Sequence, residues 1–417
     1  MSLLVISPDF ASHYGPLAVL AKAAKTHGHR VVVATGPSLR QRVEDAGFEW
    51  WPLRLSRSTN SGIASADPGI SRFIAATRVG PIATIRRQAL EREKDLLWEP
   101  ERVAVEVAAL CDRLEPDRVL VDHVSFGSTL AMYATGRPYV TLVPGHPSQL
   151  PVGTERYGVP ATWPSLLQPR VSHLEDLETV VDRVTEAFTA RWNSALASVA
   201  PHRTQVDDAF RVHGNRVLYN SVQSIPDPFN ASGLRKDHRF VGPLVRDEQL
   251  PDEFAAWSSR THDRPQVFVA LGTFLSHRSD VLARIADALQ HIGVRAAIAS
   301  GATKRDTLGH FPDDWIVAPQ LPQVAMLASA DLIVHHGGNN SVQEALAAGV
   351  RQVVLPFSTD QFSNAADLER LGSACAMSPN ESTVAELAAA IGGGLNAARP
   401  EASACLHEAQ LVGALFD

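Results

Sequence analysis

Three things are scarce in this chain of 417 residues, and each scarcity removes a class of function. Cysteine is the first. Cys111, Cys375 and Cys405 stand far apart, with neither disulfide nor metal-ligand spacing, so a reducing cytoplasm is the expected setting. Long apolar runs are the second. No stretch approaches the ~18 apolar residues of a membrane span. The opening MSLLVISPDF reads as one short buried strand, without the basic start or cleavage site of a secretory leader. Positive charge is the third. With 38 Lys and Arg against 45 Asp and Glu, the net charge of -7 suits neither nucleic acid nor an anionic membrane surface.

What is present is ordinary: 45% hydrophobic and 20% charged residues describe a globular protein. The length exceeds one compact core, so two domains of roughly 200 residues are expected. The first unit is a strand at Leu3–Ser7, a polar loop, and a helix for which Pro16 suits the first turn. Leu17, Leu20, Ala21 and Ala24 form its apolar face, and Gly28 ends it. Further strands fit Arg30–Ala34, Arg118–Val121 and Tyr139–Val143. Helices alternating with continuous Val, Ile and Leu runs imply a parallel sheet covered on both faces.

Residues 56–100 break this pattern. They are small and polar at first, then amphipathic through Ile82, Ile85, Leu90, Leu96 and Trp98, which fits either a pocket wall or a plain surface hairpin of helices. Residues 225–265, rich in Pro, Gly and polar side chains, read as an interdomain connection. A second series of strands then runs through Val267–Leu271, Ala296–Ala299, Asp331–His335 and Gln352–Leu355, with helices at Val281–His291 and Ser341–Ala348. Two doubly wound α/β halves bind ligands at the carboxyl ends of their strands, which puts the site in the cleft between them.

Two segments at such strand ends carry chemistry. In the first, a buried strand runs into His335 and His336, then Gly337 and Gly338, and a helix starts near Asn340 or Ser341. Glycines let a phosphate approach the backbone, and free N–H groups at a helix start favour an anion. The same residues also fit a tight turn followed by a capping box, Ser341 to Glu344. In the second, Ser12-His13-Tyr14-Gly15-Pro16 occupies the loop after the first strand. A neutral imidazole there suits a general base near neutral pH, or else merely hydrogen-bonds near a helix start.

Taken together, the motifs resemble a known family. Ala318 and Gln320, then His336 through Ser341, then Glu344, Gly349, Pro356, Asp360 and Gln361 resemble the donor-binding motif of inverting nucleotide-sugar glycosyltransferases. That family includes plant secondary-metabolite and bacterial antibiotic and macrolide enzymes. The resemblance continues in Gly28 and His29 with Val31–Thr35, in Leu271-Gly-Thr273 and in Phe240–Leu244; residues 56–100 and 150–210 are least covered. It implies an α/β protein of the GT-B fold: two doubly wound Rossmann-like domains facing across a cleft. Residues 1–230 would bind the acceptor, 231–398 the donor, and 399–417 would form a helix, within Glu401–Phe416, returning to the first domain.

The resemblance also implies roles. The diphosphate would lie on His336, Gly338, Asn340, Ser341 and Thr273, the ribose on Glu344, the base or ribose beside Gln320 and Ala318, and the sugar on Asp360 and Gln361. His13 would be the base and Asp122, ending a strand, its orienting carboxylate, with His123 the neighbouring alternative. The helix start and His336 would supply positive potential to the leaving group. No Asp-x-Asp pair occurs, so no metal and no cofactor are expected. The expected co-substrates are a UDP- or dTDP-sugar and a small hydrophobic aglycone; a homodimer is compatible. Val317 and Asn339 depart from the plant pattern, suggesting a bacterial enzyme and leaving UDP against dTDP open. The rival readings are a sugar-nucleotide epimerase and a non-enzymatic helper subunit, although a helper should have lost His13 or His336. A pyridoxal-phosphate phosphorylase would need a lysine in the cleft, and Lys304 is the only one beyond residue 240.

Overall fold

In a computed structural model of the chain, which describes residues 1–56, 68–222, 237–258 and 264–417, the strands assemble into two sheets whose every pairing is parallel. The first comprises β1 (Ser2–Ile6), β2 (Arg30–Thr35), β3 (Glu49–Pro52), β4 (Arg118–Asp122), β5 (Val140–Val143), β6 (Arg216–Tyr219) and β7 (His238–Phe240). Its order is β3-β2-β1-β4-β5-β6-β7. The second comprises β8 (Gln266–Ala270), β9 (Arg295–Ala299), β10 (Ile316–Ala318), β11 (Leu332–His335), β12 (Arg351–Val354) and β13 (Ala374–Ala376), in the order β10-β9-β8-β11-β12-β13. This is the GT-B arrangement of two doubly wound halves.

Both sheets are buried on both faces, which is why their strands read as unbroken apolar runs. Alternate residues of one strand point to opposite sides. Leu4 and Ile6 join Phe126, Phe188, Trp192 and Phe210 on one face, while Leu3 and Val5 join Leu17 and Leu20 on the other. In each sheet the strand order reverses once, at β1/β4 and at β8/β11. Connections there leave in opposite directions and open a crevice, the usual ligand site of such sheets.

Several expectations shift. The first helix spans Ala11–Thr26, so Ser12–Pro16 is its first turns rather than a loop, and Pro16 lies inside it. A proline there has no N–H for the carbonyl of Ser12, four residues back. That carbonyl accepts instead from Asn340 Nδ2 at 2.8 Å. The expected boundary at residue 230 is followed by β7, which pairs with β6 in the first sheet. Much of the connection lies outside the described residues, as do residues 57–67. Residues 68–96 form two helices, Pro68–Val79 and Pro81–Leu96. Among the described residues no helix is long and apolar enough to cross a membrane.

The C-terminal helix is shorter than expected, Glu408–Phe416. Before it, Ser403 N–H still donates to Leu346 O of the second half at 2.8 Å. Beyond it, Leu411 and Leu415 bury into the layer formed by the first helix and β1. Guanidinium groups close its end: Arg216 donates to Ala414 O and Arg118 to Phe416 O, each at 2.7 Å. Cations at a helix C-terminus satisfy orphan carbonyls and complement the dipole. Deleting residues 401–417 removes two buried leucines, roughly 3–6 kcal/mol of apolar burial. Calorimetric melting should therefore fall by on the order of 10 °C. An unchanged melt with unchanged turnover would mean that the tail is peripheral.

Candidate active site

Each reversal point carries one of the two segments singled out in the sequence. At β1/β4 the first turn of the Ala11–Thr26 helix carries His13, and Asp122 is the last residue of β4. His13 Nδ1 lies 2.9 Å from Asp122 Oδ2, and Asp122 Oδ1 accepts the Val124 N–H at 3.0 Å. A carboxylate accepts only, so Nδ1 carries the proton and Nε2 keeps its lone pair. Asp122 is fully buried, whereas the His13 side chain is 26% exposed. A base needs that combination: a fixed tautomer and an open nitrogen.

The electrostatics agree with this division. Burial lowers the proton affinity of His13, but the charge and hydrogen bond of Asp122, with the charge of Asp360, outweigh it and raise the pKa above the ordinary 6.5. Burial would raise Asp122; His13 and His123 overcome it and hold the carboxyl well below its usual range. Asp122 is thus the anion and His13 the group that titrates. His123 is separated from this task by burial. Its side chain is 2% exposed, its Nδ1 is a long 3.5 Å from Asp122 Oδ1, and its ring lies 6.4 Å from that of His13.

At β8/β11 the donor segment folds around its histidines. His335 is buried; its Nδ1 accepts the Gly337 N–H at 3.1 Å and its Nε2 reaches Gln352 Oε1 at 2.9 Å. Burial and the neighbouring His336 push its pKa down to about 3, so it is a neutral pin for the loop. Gly337 has φ +86°, and a Cβ there would stand 2.9 Å from Val354 and 3.0 Å from the Gln361 carbonyl. Only glycine fits. The His336 ring is framed by two more glycines: a Cβ on Gly338 would fall 2.4 Å from its Nε2, and one on Gly272 2.8 Å from its Cε1.

Burial lowers His336 to about 4, against a bond to the Ala270 backbone. Burial thus favours a neutral His336, which would act on a ligand as an N–H donor. Positive potential at this site comes from the helix Asn339–Ala347. It starts at Gly338 with no side-chain cap, and its first-turn N–H groups have no carbonyl within the helix. The alternative reading of a capping box from Ser341 to Glu344 is not realised, because the helix starts at Asn339 and Glu344 lies in its second turn. Its buried carboxylate instead accepts from Arg246 and from Gln323 Nε2, which also reaches Ser341 Oγ at 3.1 Å. Burial nonetheless raises Glu344.

The remaining residues divide. Asn340 binds the Ser12 carbonyl next to His13, so the two segments meet directly. Asp360 opens the helix Asp360–Arg370 and accepts the His146 N–H at 3.3 Å. Gln361 turns back on its own loop, its Oε1 accepting the N–H groups of Phe357 and Ser358 at 2.9 and 3.2 Å. Thr273, in the short helix after β8, and Gln320, just past β10 and Ala318, are exposed on the second half. Arg246, Gln323 and His146 were not legible, because the partner that ties each to the site, Glu344 or Asp367, lies far away in sequence.

Three comparisons bear on this site. A family model described as UDP-glucoronosyl and UDP-glucosyl transferase matches residues 113–399. The L-demethylnoviosyl transferase of Streptomyces niveus is 25% identical, over 94% of this chain and 88% of its own. The zeaxanthin glucosyltransferase of Pseudescherichia vulneris is 26% identical, over 87% and 83%. The crystal structure of glycosyltransferase VinC in complex with dTDP has the same fold, with a TM-score of 0.65 at 19% identity, covering 95% of this chain and 91% of that one.

The coupling of His13 to Asp122 has a direct consequence for pH. A base works deprotonated, so kcat/KM should fall on the acid side with a midpoint above 6.5, the ordinary histidine value. Asp122→Asn removes the anion that favours imidazolium. The midpoint should move to lower pH, and maximal turnover should drop by on the order of 100-fold or more. A midpoint that stays put would separate Asp122 from the titrating group.

Proposed function

The chain belongs to the UDP-glucoronosyl and UDP-glucosyl transferase family and is a glycosyltransferase, and on that premise we propose an inverting transfer from a UDP- or dTDP-sugar to a hydroxyl of a small hydrophobic natural product. The observation that carries this reading is the His13–Asp122 pair, held across the cleft from a helix N-terminus by the bond from Asn340 to Ser12. The acceptor hydroxyl gives its proton to His13 Nε2 as its oxygen attacks the anomeric carbon. The bond from that carbon to the diphosphate oxygen breaks, and the electron pair leaves with the nucleotide. Asp122 stays ionised and stabilises the imidazolium without taking the proton.

The leaving diphosphate lies on the free N–H groups at the start of the Asn339–Ala347 helix, with His336 and Ser341 adding neutral donors. Thr273 faces it from the loop after β8. Glu344 takes ribose hydroxyls by sharing its carboxylate with Arg246 and Gln323, Gln320 and Ala318 flank the base, and Asp360 and Gln361 hold the sugar. The relatives named for demethylnoviosyl and zeaxanthin glucosyl transfer support a natural-product acceptor. The complex of VinC with dTDP supports thymidine diphosphate as one candidate donor nucleotide. The reaction is metal-independent in this reading, and the chain works in the cytoplasm.

Replacing His13 by Ala should lower turnover by roughly 100-fold or more while leaving diphosphate affinity nearly intact. A variant keeping half of wild-type turnover would put the base elsewhere. Turnover should also survive EDTA, measured with UDP- and dTDP-glucose against a panel of phenols. Complete loss on chelation, restored by magnesium or manganese, would refute metal independence.

A further inference from the structure

One histidine outside the catalytic pair is tied to both halves. His146 follows β5 at its carboxyl end and is fully buried, as is Asp367 in the second half. The Ser148 backbone N–H donates to His146 Nδ1 at 3.1 Å, with Ser148 Oγ 2.8 Å from the same nitrogen. A backbone N–H can only donate, so Nδ1 is the acceptor and the proton sits on Nε2. Nε2 then donates across the domain interface to Asp367 Oδ2 at 2.9 Å. The backbone N–H of His146 donates to Asp360 Oδ2 at 3.3 Å.

Asp360 and Asp367 are two turns apart on one face of the Asp360–Arg370 helix. A single residue of the first half thus grips that helix at both places. Neighbouring contacts follow the same path: Ala161 N–H donates to Ser363 Oγ at 3.1 Å, and the Trp163 ring packs 4.6 Å from that of Phe362. The helix that begins with the sugar-binding candidate is therefore seated on the acceptor half, with His146 at the centre of the seat.

We propose that His146 is a positioning residue for the transferred sugar: by binding Asp360 and Asp367 together it sets where the Asp360 carboxylate stands relative to His13. This rests on the reading of Asp360 as a sugar ligand. The fixed Nε2–H tautomer makes the contact one-directional, a donor aimed at a buried carboxylate, which is among the stronger neutral-to-charged hydrogen bonds. Breaking it lets the helix start drift, while the bond from Asn364 Nδ2 to Gly337 O at 2.9 Å keeps the second turn of that helix on the diphosphate loop. The sugar should be lost from the balance and the nucleotide kept.

Calorimetric titration of the full chain with dTDP-glucose and dTDP, and with UDP-glucose and UDP, separates these terms without an acceptor. For the pair that wild type discriminates, His146→Leu should weaken sugar-nucleotide binding by about tenfold, the scale of one hydrogen bond to a charged group. Binding of the bare diphosphate should stay within about twofold. His146→Gln, which can still donate to Asp367, should recover most of the loss. Equal weakening of both ligands, or no change in either, overturns the proposal. If the leucine variant does not fold, Asp367→Asn carries the same comparison, with the same selective loss expected and a uniform loss contradicting it. Asp360→Asn marks the premise. If it leaves the preference for sugar nucleotide untouched, the sugar-ligand reading itself has failed; if it abolishes the preference while His146→Leu does not, only the positioning role has.

Discussion

A proline without an N–H sets the geometry on which the site depends. Pro16 leaves the Ser12 carbonyl unclaimed inside the first helix, and Asn340 of the opposite half takes it at 2.8 Å. The residue next to His13 is thereby bonded to the second residue of the helix that starts at Asn339. The bond is solvent-exposed, so it contributes on the order of 1 kcal/mol and serves to register the halves more than to hold them together. The distance between His13 and that helix is then a property of the interface, since the two follow strands of separate sheets.

The interface combines apolar packing, as at Trp163 and Phe362, with a buried polar seam. Asn339 donates to Pro144 O and Asn220 O at 2.8 and 2.7 Å, and Val222 N–H donates to Gln343 Oε1 at 3.1 Å. Asn339 is one of the positions that departs from the plant pattern, and its amide is what reaches the first half. Buried polar contacts of this kind are demanding. They favour one arrangement when all are made and penalise a half-made one, because each orphaned group is then desolvated without return. A cleft that must admit two substrates and then exclude water gains from such an all-or-none seam.

Much of this was legible in the residues. Apolar runs of strand length between helices showed two parallel sheets, because burial on both faces leaves no alternation to misread. The glycines at 337 and 338 were readable because left-handed backbone and close ring packing admit nothing larger. What escaped was long-range. Pro16 read as a first-turn residue because the compensating donor is 328 positions away at Asn340. That Glu344 shares its carboxylate with Arg246 was hidden too, because Arg246 lies in a stretch that looked like linker. The burial of His336 between Gly272 and Gly338, which favours its neutral form, is a tertiary fact of the same kind. His146 and Asp367, 221 positions apart, leave no periodic trace.

The central claim is that one base, His13, drives a single displacement at the anomeric carbon with no covalent sugar–protein intermediate. Its most direct test is the anomeric configuration of the product, followed by proton NMR as it forms from α-linked dTDP- or UDP-glucose and a phenol that supports turnover. A single displacement inverts, so only the β-glucoside should appear. An α-glucoside as the first product would contradict the account, since retention requires either a second displacement or attack from the face that the diphosphate leaves.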